Sequence, residues 1–234
     1  MDINNYYFNE NEKPLDRIVD DGGFCAIFRT IACVGDSLSS GEFQTLDKDG
    51  VNHYYDLYEY SWGQYIARMT GAKVYNFSKG GMTAKEYCES FADWSRFWAP
   101  KKAAQAYVIA LGVNDLFGQD QEAGSLDDIC MEDYSKNAKS FAGYYGMIIQ
   151  KLKEISPDAK FFFMTMPKES TDDETRREIK IAHQKLLHDM AKQFDNSYVI
   201  DLHEYAPEYD EKFKENFYMH GHMNAGGYML TAKM

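Results

Sequence analysis

Long apolar runs are missing from this 234-residue chain, as are paired cysteines, a surplus of cations and any linker rich in proline or glycine. No stretch approaches the ~20 consecutive apolar residues that a membrane-spanning helix needs. The four cysteines, Cys25, Cys33, Cys88 and Cys130, are scattered without a C-x-x-C pair. Neither a thiolate metal cluster nor a redox dithiol is signalled, and no cofactor is implied. They read as reduced thiols, with Cys33 acting as a small hydrophobe inside a strand. Lys and Arg number 25 against 37 Asp and Glu, a net charge of −12. That deficit argues against nucleic-acid backbones and anionic membrane surfaces, both of which call for clustered cations. The expected partner is a neutral or cationic small molecule, or a neutral polymer. The polar, acidic stretch Met1–Asp21 has no basic and then apolar leader pattern, so the expected location is the cytoplasm.

What is present is enough for a sizeable core: 44% hydrophobic residues, of which aromatics make 15% of the chain. Five short apolar runs read as strands: Ile31–Gly35, Lys73–Phe77, Ala106–Leu111, Lys160–Met166 and Ser197–Leu202. Segments of helical period separate them. Tyr58, Trp62, Ile66 and Met69 share one face; Tyr134, Ala138, Phe141, Tyr145, Ile148, Leu152 and Ile155 share another, closed by Pro157. Thr83-Ala84-Lys85-Glu86 and Thr171-Asp172-Asp173-Glu174 have the form of capping boxes, the second leading a face of Ile179, Ala182, Leu186, Met190 and Phe194. Glu42–Asn52 reads as a loop around the turn Asp47-Lys48-Asp49-Gly50. Near-continuous apolar strands alternating with amphipathic helices predict an α/β fold, a three-layer αβα sandwich with a five-stranded parallel sheet covered on both faces. Residues 29–234 form that one domain, and residues 1–28 form an N-terminal extension packed on it, with Phe24–Phe28 as a short edge strand.

Four polar blocks fall where these strands end. Gly35-Asp36-Ser37-Leu38 follows the first strand, and Asn76-Phe77-Ser78-Lys79-Gly80-Gly81-Met82-Thr83 the second. Gly112-Val113-Asn114-Asp115 follows the third, and His222-Met223-Asn224-Ala225-Gly226-Gly227-Tyr228 lies near the C-terminus. In open parallel sheets the carboxyl rim is where ligands bind. A serine, a glycine amide, an asparagine amide and a late histidine are the parts that acyl transfer needs. Each block also admits a plain structural reading: Asp36 or Asp115 as helix caps, Gly81 or Gly80 as a positive-φ turn, Asn114 as a turn residue.

The ordered set resembles the SGNH hydrolases, also called GDSL-type lipases and esterases. The resemblance runs from Gly35 to Tyr228 and implies the flavodoxin-like fold of that family. It also implies Ser37 as nucleophile, His222 as general base and acid, and an oxyanion hole of the Ser37 N–H, the Gly81 N–H and the Asn114 side chain. Asp36 and Asp115 would shape the turns behind them. The implied substrate is a small-molecule ester or an acylated saccharide. The aromatic run Tyr54-Tyr55-Asp56-Leu57-Tyr58-Glu59-Tyr60-Ser61-Trp62 suits sugar rings, and it suits equally the core face and rim of one helix.

The last block departs from the family, which has Asp three residues before its histidine; Met219 stands there. Moving the register to His220 puts Phe217 in that place. The expected substitutes are a backbone carbonyl of Phe217–Gly221, giving a Ser-His dyad, or a carboxylate from Asp201 or Glu215. Two alternatives follow from the lost acid. One is a non-catalytic carbohydrate-binding relic. The other is a metal-assisted hydrolase using His220 and His222, an H-x-H pair that can ligate zinc. His53, His183, His188 and His203 lie outside the blocks and read as surface or packing residues.

Overall fold

The apolar run before Gly35 forms β1 (Thr30–Gly35), and the polar block after it winds at once into the single turn α1 (Ser37–Ser40). The structure, a computed structural model, describes residues 22–234; the expectations for Met1–Asp21 lie outside the described residues. A hairpin of β2 (Glu42–Leu46) and β3 (Asn52–Asp56) comes next, then α2 (Trp62–Thr70) and β4 (Lys73–Ser78). Helix α3 starts at Ala84–Glu86 and runs on through a π-turn, Tyr87–Phe91, to Ala92–Trp94. The chain continues through β5 (Ala106–Ala110), α4 (Phe141–Ile155), β6 (Lys160–Met164), α5 (Glu174–Gln193) and β7 (Ser197–Ile200). It ends in α6 (Leu202–Tyr205), α7 (Glu211–Phe217), the two-residue strands β8 (Tyr218–Met219) and β9 (His222–Met223), and α8 (Ala225–Lys233).

The five expected strands form one sheet in the order β4-β1-β5-β6-β7, every neighbouring pair parallel. This is the flavodoxin-like order, in which the winding direction reverses between β1 and β5 and leaves a crevice at their carboxyl ends. Period-2 side chains of β1 feed two cores. Ala32 and Val34 pack with α3, α4 and α5, while Ile31 and Cys33 pack with α2, α7 and α8. Burial on both faces is why these strands read as unbroken apolar runs. Among the described residues no helix is long and apolar enough to cross a membrane.

Several local expectations are corrected. Phe24–Phe28 is not an edge strand: Gly22 and Gly23 take positive φ (70° and 54°) and start a 3-10 turn, Gly23–Ile27. Glu42–Asn52 is not a loop but most of the β2–β3 hairpin, closed where Asp47 Oδ1 accepts from the N–H groups of Asp49 and Val51. The segment from Tyr134 makes its own short turn, capped by Asp133, and α4 begins only after Ser140, whose hydroxyl accepts from Gly143 N–H. Asp173, not Thr171, caps α5 by accepting from Arg176 N–H, because Thr171 instead takes a hydrogen bond from Lys214 Nζ. Helix α5 turns Ala182 outward and His183 inward as a result.

Candidate active site

Asp36 sets the turn that carries Ser37. Its Oδ1 accepts from Leu38 N–H at 3.0 Å, capping α1 with Ser37 as the first helical residue. Ser37 N–H has no hydrogen-bond partner among the described residues, as the first amide of a helix should not. Gly35 is required by space: a Cβ there would run into Ser39 Oγ and the carbonyl of Ala110 on β5. Tyr228 of α8 straps the turn from behind, its hydroxyl donating to Glu42 O at 2.6 Å and reaching Ser37 O at 3.4 Å.

Beside this turn, the loop after β4 folds back, with Met82 N–H donating to Lys79 O at 3.2 Å. Gly81 sits at its corner with φ 72° and open space where a Cβ would be, and its N–H is unpartnered among the described residues. Gly80 differs: a Cβ there would run into the Glu42 carboxylate. Asn114, one residue past the crevice lip on the loop after β5, donates from Nδ2 to Met82 O at 3.2 Å and lies 3.4 Å from Asp36 Oδ2. The second contact is long and weak, so one N–H of this amide is available to a better acceptor. Asp115 is fully buried and accepts from Ala84 N–H at 2.8 Å, tying this loop to the start of α3.

The histidine arrives on the β8–β9 hairpin, where Met219 pairs with His222 across the two strands. Strand β9 packs on α1, with α-carbons within 8 Å of one another. The expected orienters do not hold the ring. Phe217 O accepts from Asn224 N–H, Asp201 is taken by His188, Gln184 and Thr165, and Glu215 faces solvent. Gln44 of β2 does so instead, its Oε1 lying 2.9 Å from His222 Nδ1. The same oxygen accepts from Gly221 N–H at 3.0 Å, and Gln44 Nε2 donates to Asn52 Oδ1 at 2.7 Å. A backbone N–H can only donate, so the amide's orientation is forced, and an acceptor facing Nδ1 makes Nδ1 the protonated nitrogen. Nε2 of the neutral ring is then the basic one. Burial lowers the His222 pKa and favours that neutral form.

Glu42, also on β2, completes the surroundings: its Oε1 is 3.1 Å from His222 Nε2. This is a close approach of the carboxylate to the ring nitrogen rather than an aligned hydrogen bond. Tyr54 of β3 packs edge-on against the imidazole, with ring centroids 5.7 Å apart. Burial first, then the charge of Asp56, raises the Glu42 carboxyl. Burial likewise raises Asp36 to about 7, with the charges of Asp115 and Glu42 adding to it against the Leu38 hydrogen bond, and raises Asp115 to about 6. A cleft of about 340 Å³ opens beside α1, lined by Leu38, Trp62, Val113, Met166, Tyr218 and His220 among others.

The fold thus gathers Ser37, Gly81, Asn114 and His222 at one rim, with Asp36 and Asp115 behind them. Ser37 and His222 share no direct hydrogen bond among the described residues. His220 is exposed at the hairpin tip with φ 56°, and no three His, Cys, Asp or Glu side chains among the described residues are grouped to hold a metal ion. Glu42 and Gln44 are the residues that sequence reasoning missed, and both come from the segment read as loop; Tyr54, named there for its aromatic run, turns out to pack on the imidazole. The other histidines serve packing or surface roles. His183, for example, is held neutral in the core with its pKa lowered to about 4 by burial.

Comparison with known proteins places this geometry. The model of the GDSL-like Lipase/Acylhydrolase family matches residues 33–230. A family two carbohydrate esterase from Clostridium thermocellum, solved in complex with cellohexaose, is similar with a TM-score of 0.59 at 16% identity, covering 88% of this chain and 61% of that one. A carbohydrate esterase family 2 enzyme with a carbohydrate-binding domain from Corynascus thermopiles gives 0.60 at 17%, covering 88% and 64%. A chain from Bacteroides uniformis named as a GDSL-like lipase gives 0.55 at 16%, covering 87% and 92%. This chain therefore spans less than two thirds of either carbohydrate esterase and most of the third protein. At such identities the likeness establishes the fold. No curated protein matches the sequence.

Proposed function

The chain belongs to the GDSL-like lipase/acylhydrolase family, and from that premise we propose that it is a serine esterase acting on short-chain acyl esters, with O-acetylated carbohydrates as the preferred class. The observation that carries this reading is the clamp on His222. Gln44 Oε1 at Nδ1 leaves a neutral imidazole with its basic Nε2 on the hairpin packed against the nucleophile turn.

In this reading Ser37 Oγ attacks the ester carbonyl while His222 Nε2 takes its proton. The negative charge that develops on the carbonyl oxygen is received by the N–H groups of Ser37 and Gly81 and by one N–H of Asn114, which exchanges its weak Asp36 contact for a stronger one. The tetrahedral adduct collapses, the alcohol leaves with the proton from Nε2, and an acyl-enzyme stands on Ser37. Water then repeats the steps in reverse order, releasing the acid and restoring the serine. None of this calls on a metal or an organic cofactor.

The sugar preference is supported by tyrosines rather than by a lipid-sized apolar lid. Tyr54, which packs against His222, is 54% exposed, and Tyr55, Tyr58 and Tyr60 along the same run are also exposed, which suits ring stacking better than the core-face alternative. Of the aromatic residues in that run, Trp62 alone is buried. The test compares wild type with Ser37→Ala on p-nitrophenyl acetate and on acetylated saccharides, with fluorophosphonate labelling alongside. Loss of hydrolysis and of the label in the variant supports the reading. Hydrolysis at the wild-type rate by Ser37→Ala refutes it, and an unreactive Ser37 in the wild type would favour a binding relic.

A further inference from the structure

Members with Asp before the histidine use one carboxylate for two tasks: it fixes the ring's tautomer and orientation, and it stabilises the imidazolium that forms. This chain has Met219 at that place, so both tasks need other owners. Gln44 can perform only the first. Its carbonyl oxygen holds Nδ1–H at 2.9 Å but carries no charge. The remaining task points to the one carboxylate that, among the described residues, approaches the ring itself, Glu42, whose Oε1 lies 3.1 Å from Nε2.

We propose that β2 divides the missing residue's work between alternate positions: Gln44 orients His222, and Glu42 supplies the charge that stabilises it when protonated, from the Nε2 side. The inference rests on the Ser37–His222 reading above.

The alternation of a strand explains how both side chains reach one ring. Residues at i and i+2 project to the same face, so Glu42 and Gln44 stand side by side, with Tyr54 opposite Gln44 in the hairpin register. Glu42 is held by its backbone carbonyl, which accepts from Tyr228 OH at 2.6 Å, and its carboxylate occupies the space a side chain at position 80 would need, so glycine there leaves room for it. Its contact with Nε2 is not an aligned hydrogen bond, which leaves the in-plane direction of that nitrogen for the serine proton. Other titratable groups near the ring are Asp56 on β3, Asp36 at the start of α1, Tyr54, Tyr228 and the exposed His220. Among the described residues no Lys or Arg pairs with Glu42, so its charge is not spent elsewhere.

As a positioning residue, Glu42 is tested by the pH profile of turnover. Replacing Glu42 by Gln keeps size and removes charge. The acid limb of kcat/KM for p-nitrophenyl acetate should move down by about half to one pH unit, because a neutral neighbour no longer favours the imidazolium. Plateau kcat should fall about tenfold with KM little changed. The Glu42→Asp variant should restore part of the loss. The decisive chain is the double variant Glu42→Gln/Gln44→Glu, which moves the carboxylate to Nδ1, where it still accepts from Gly221 N–H while the exposed Asn52 amide turns to donate. Recovery of kcat and of the acid limb in the double variant supports the proposal. An unmoved acid limb in Glu42→Gln overturns it, as does a fall in kcat that the double variant does not relieve. If Ser37→Ala or His222→Ala retains the wild-type rate, the Ser-His reading itself fails. If those two lose activity while the Glu42 profile is flat, only the division of labour falls.

Discussion

Asp36 gives the clearest link between this site's geometry and a measurable quantity. The side chain is 3% exposed, and burial raises its carboxyl from 3.8 to about 7. Between roughly pH 4 and pH 7 the folded chain keeps a proton that the unfolded chain has lost. Stability linked to Asp36 is therefore fully present at low pH, is lost as pH rises through that window, and is gone above about pH 7. The interval corresponds to about 4 kcal/mol. The burial cost and the repulsion from Asp115 and Glu42 both disappear with the Asp36 charge, so removing that carboxylate should relieve about 2–4 kcal/mol. Asp36→Asn keeps the cap, since an amide oxygen accepts from Leu38 N–H as well as a carboxylate does. The variant should melt about 4–15 °C above wild type at pH 8, apart from a constant offset, with the pH-dependent part of the difference shrinking as pH falls and gone near pH 4. Thermal melts followed by circular dichroism across that range measure it. An amide facing Asn114 Nδ2 adds an offset that is the same at every pH, so the slope is diagnostic. A difference that stays constant, or that grows on acidification, refutes the reasoning.

Other expectations are simpler. Asn114→Ala should lower kcat by about 10²–10³ with KM within a few-fold, measured by steady-state hydrolysis of p-nitrophenyl acetate. Gly112→Ala places a Cβ 2.8 Å from His183 Nε2 at a φ of 135°, and should cost about 2–4 kcal/mol in denaturant titrations. Tyr54→Ala should raise KM for an acetylated oligosaccharide roughly three- to tenfold while leaving KM for ethyl acetate unchanged, the effect of one lost stacking contact. Equal changes for both esters would remove Tyr54 from sugar recognition.

The sheet and the polar blocks at its carboxyl rim are legible because both are written locally. A buried strand followed by Gly-Asp-Ser or Gly-Val-Asn-Asp names itself, and the rim of a parallel sheet collects whatever follows its strands. The β2–β3 hairpin was not legible for a physical reason. Every residue of β3 is exposed, so there is no alternation of apolar and polar side chains to mark it as a strand. Its one signal is the Asp47-Lys48-Asp49-Gly50 turn, which suits a loop as well as a hairpin. With the hairpin unseen, Glu42, Gln44 and Tyr54 had no address near His222. Gln44 and His222 are 178 positions apart, and a neutral amide at that separation leaves no motif. The cap of α5 shows the same limit on a smaller scale. Thr171 and Asp173 both suit an N-cap, and the choice is made by Lys214, which comes from a distant helix.

The clasp between β2 and the β8–β9 hairpin has a consequence for when chemistry becomes available. An emerging polypeptide could complete all five sheet strands and still lack a working base, because the imidazole and its clamp meet only after the final segment docks. The reverse holds on warming or in mild denaturant. Two-residue strands and an exposed ribbon should come apart before the doubly covered sheet does. Hydrolysis should then fade while the far-ultraviolet signal is still native, a molecule that remains folded but has lost its grip on a proton.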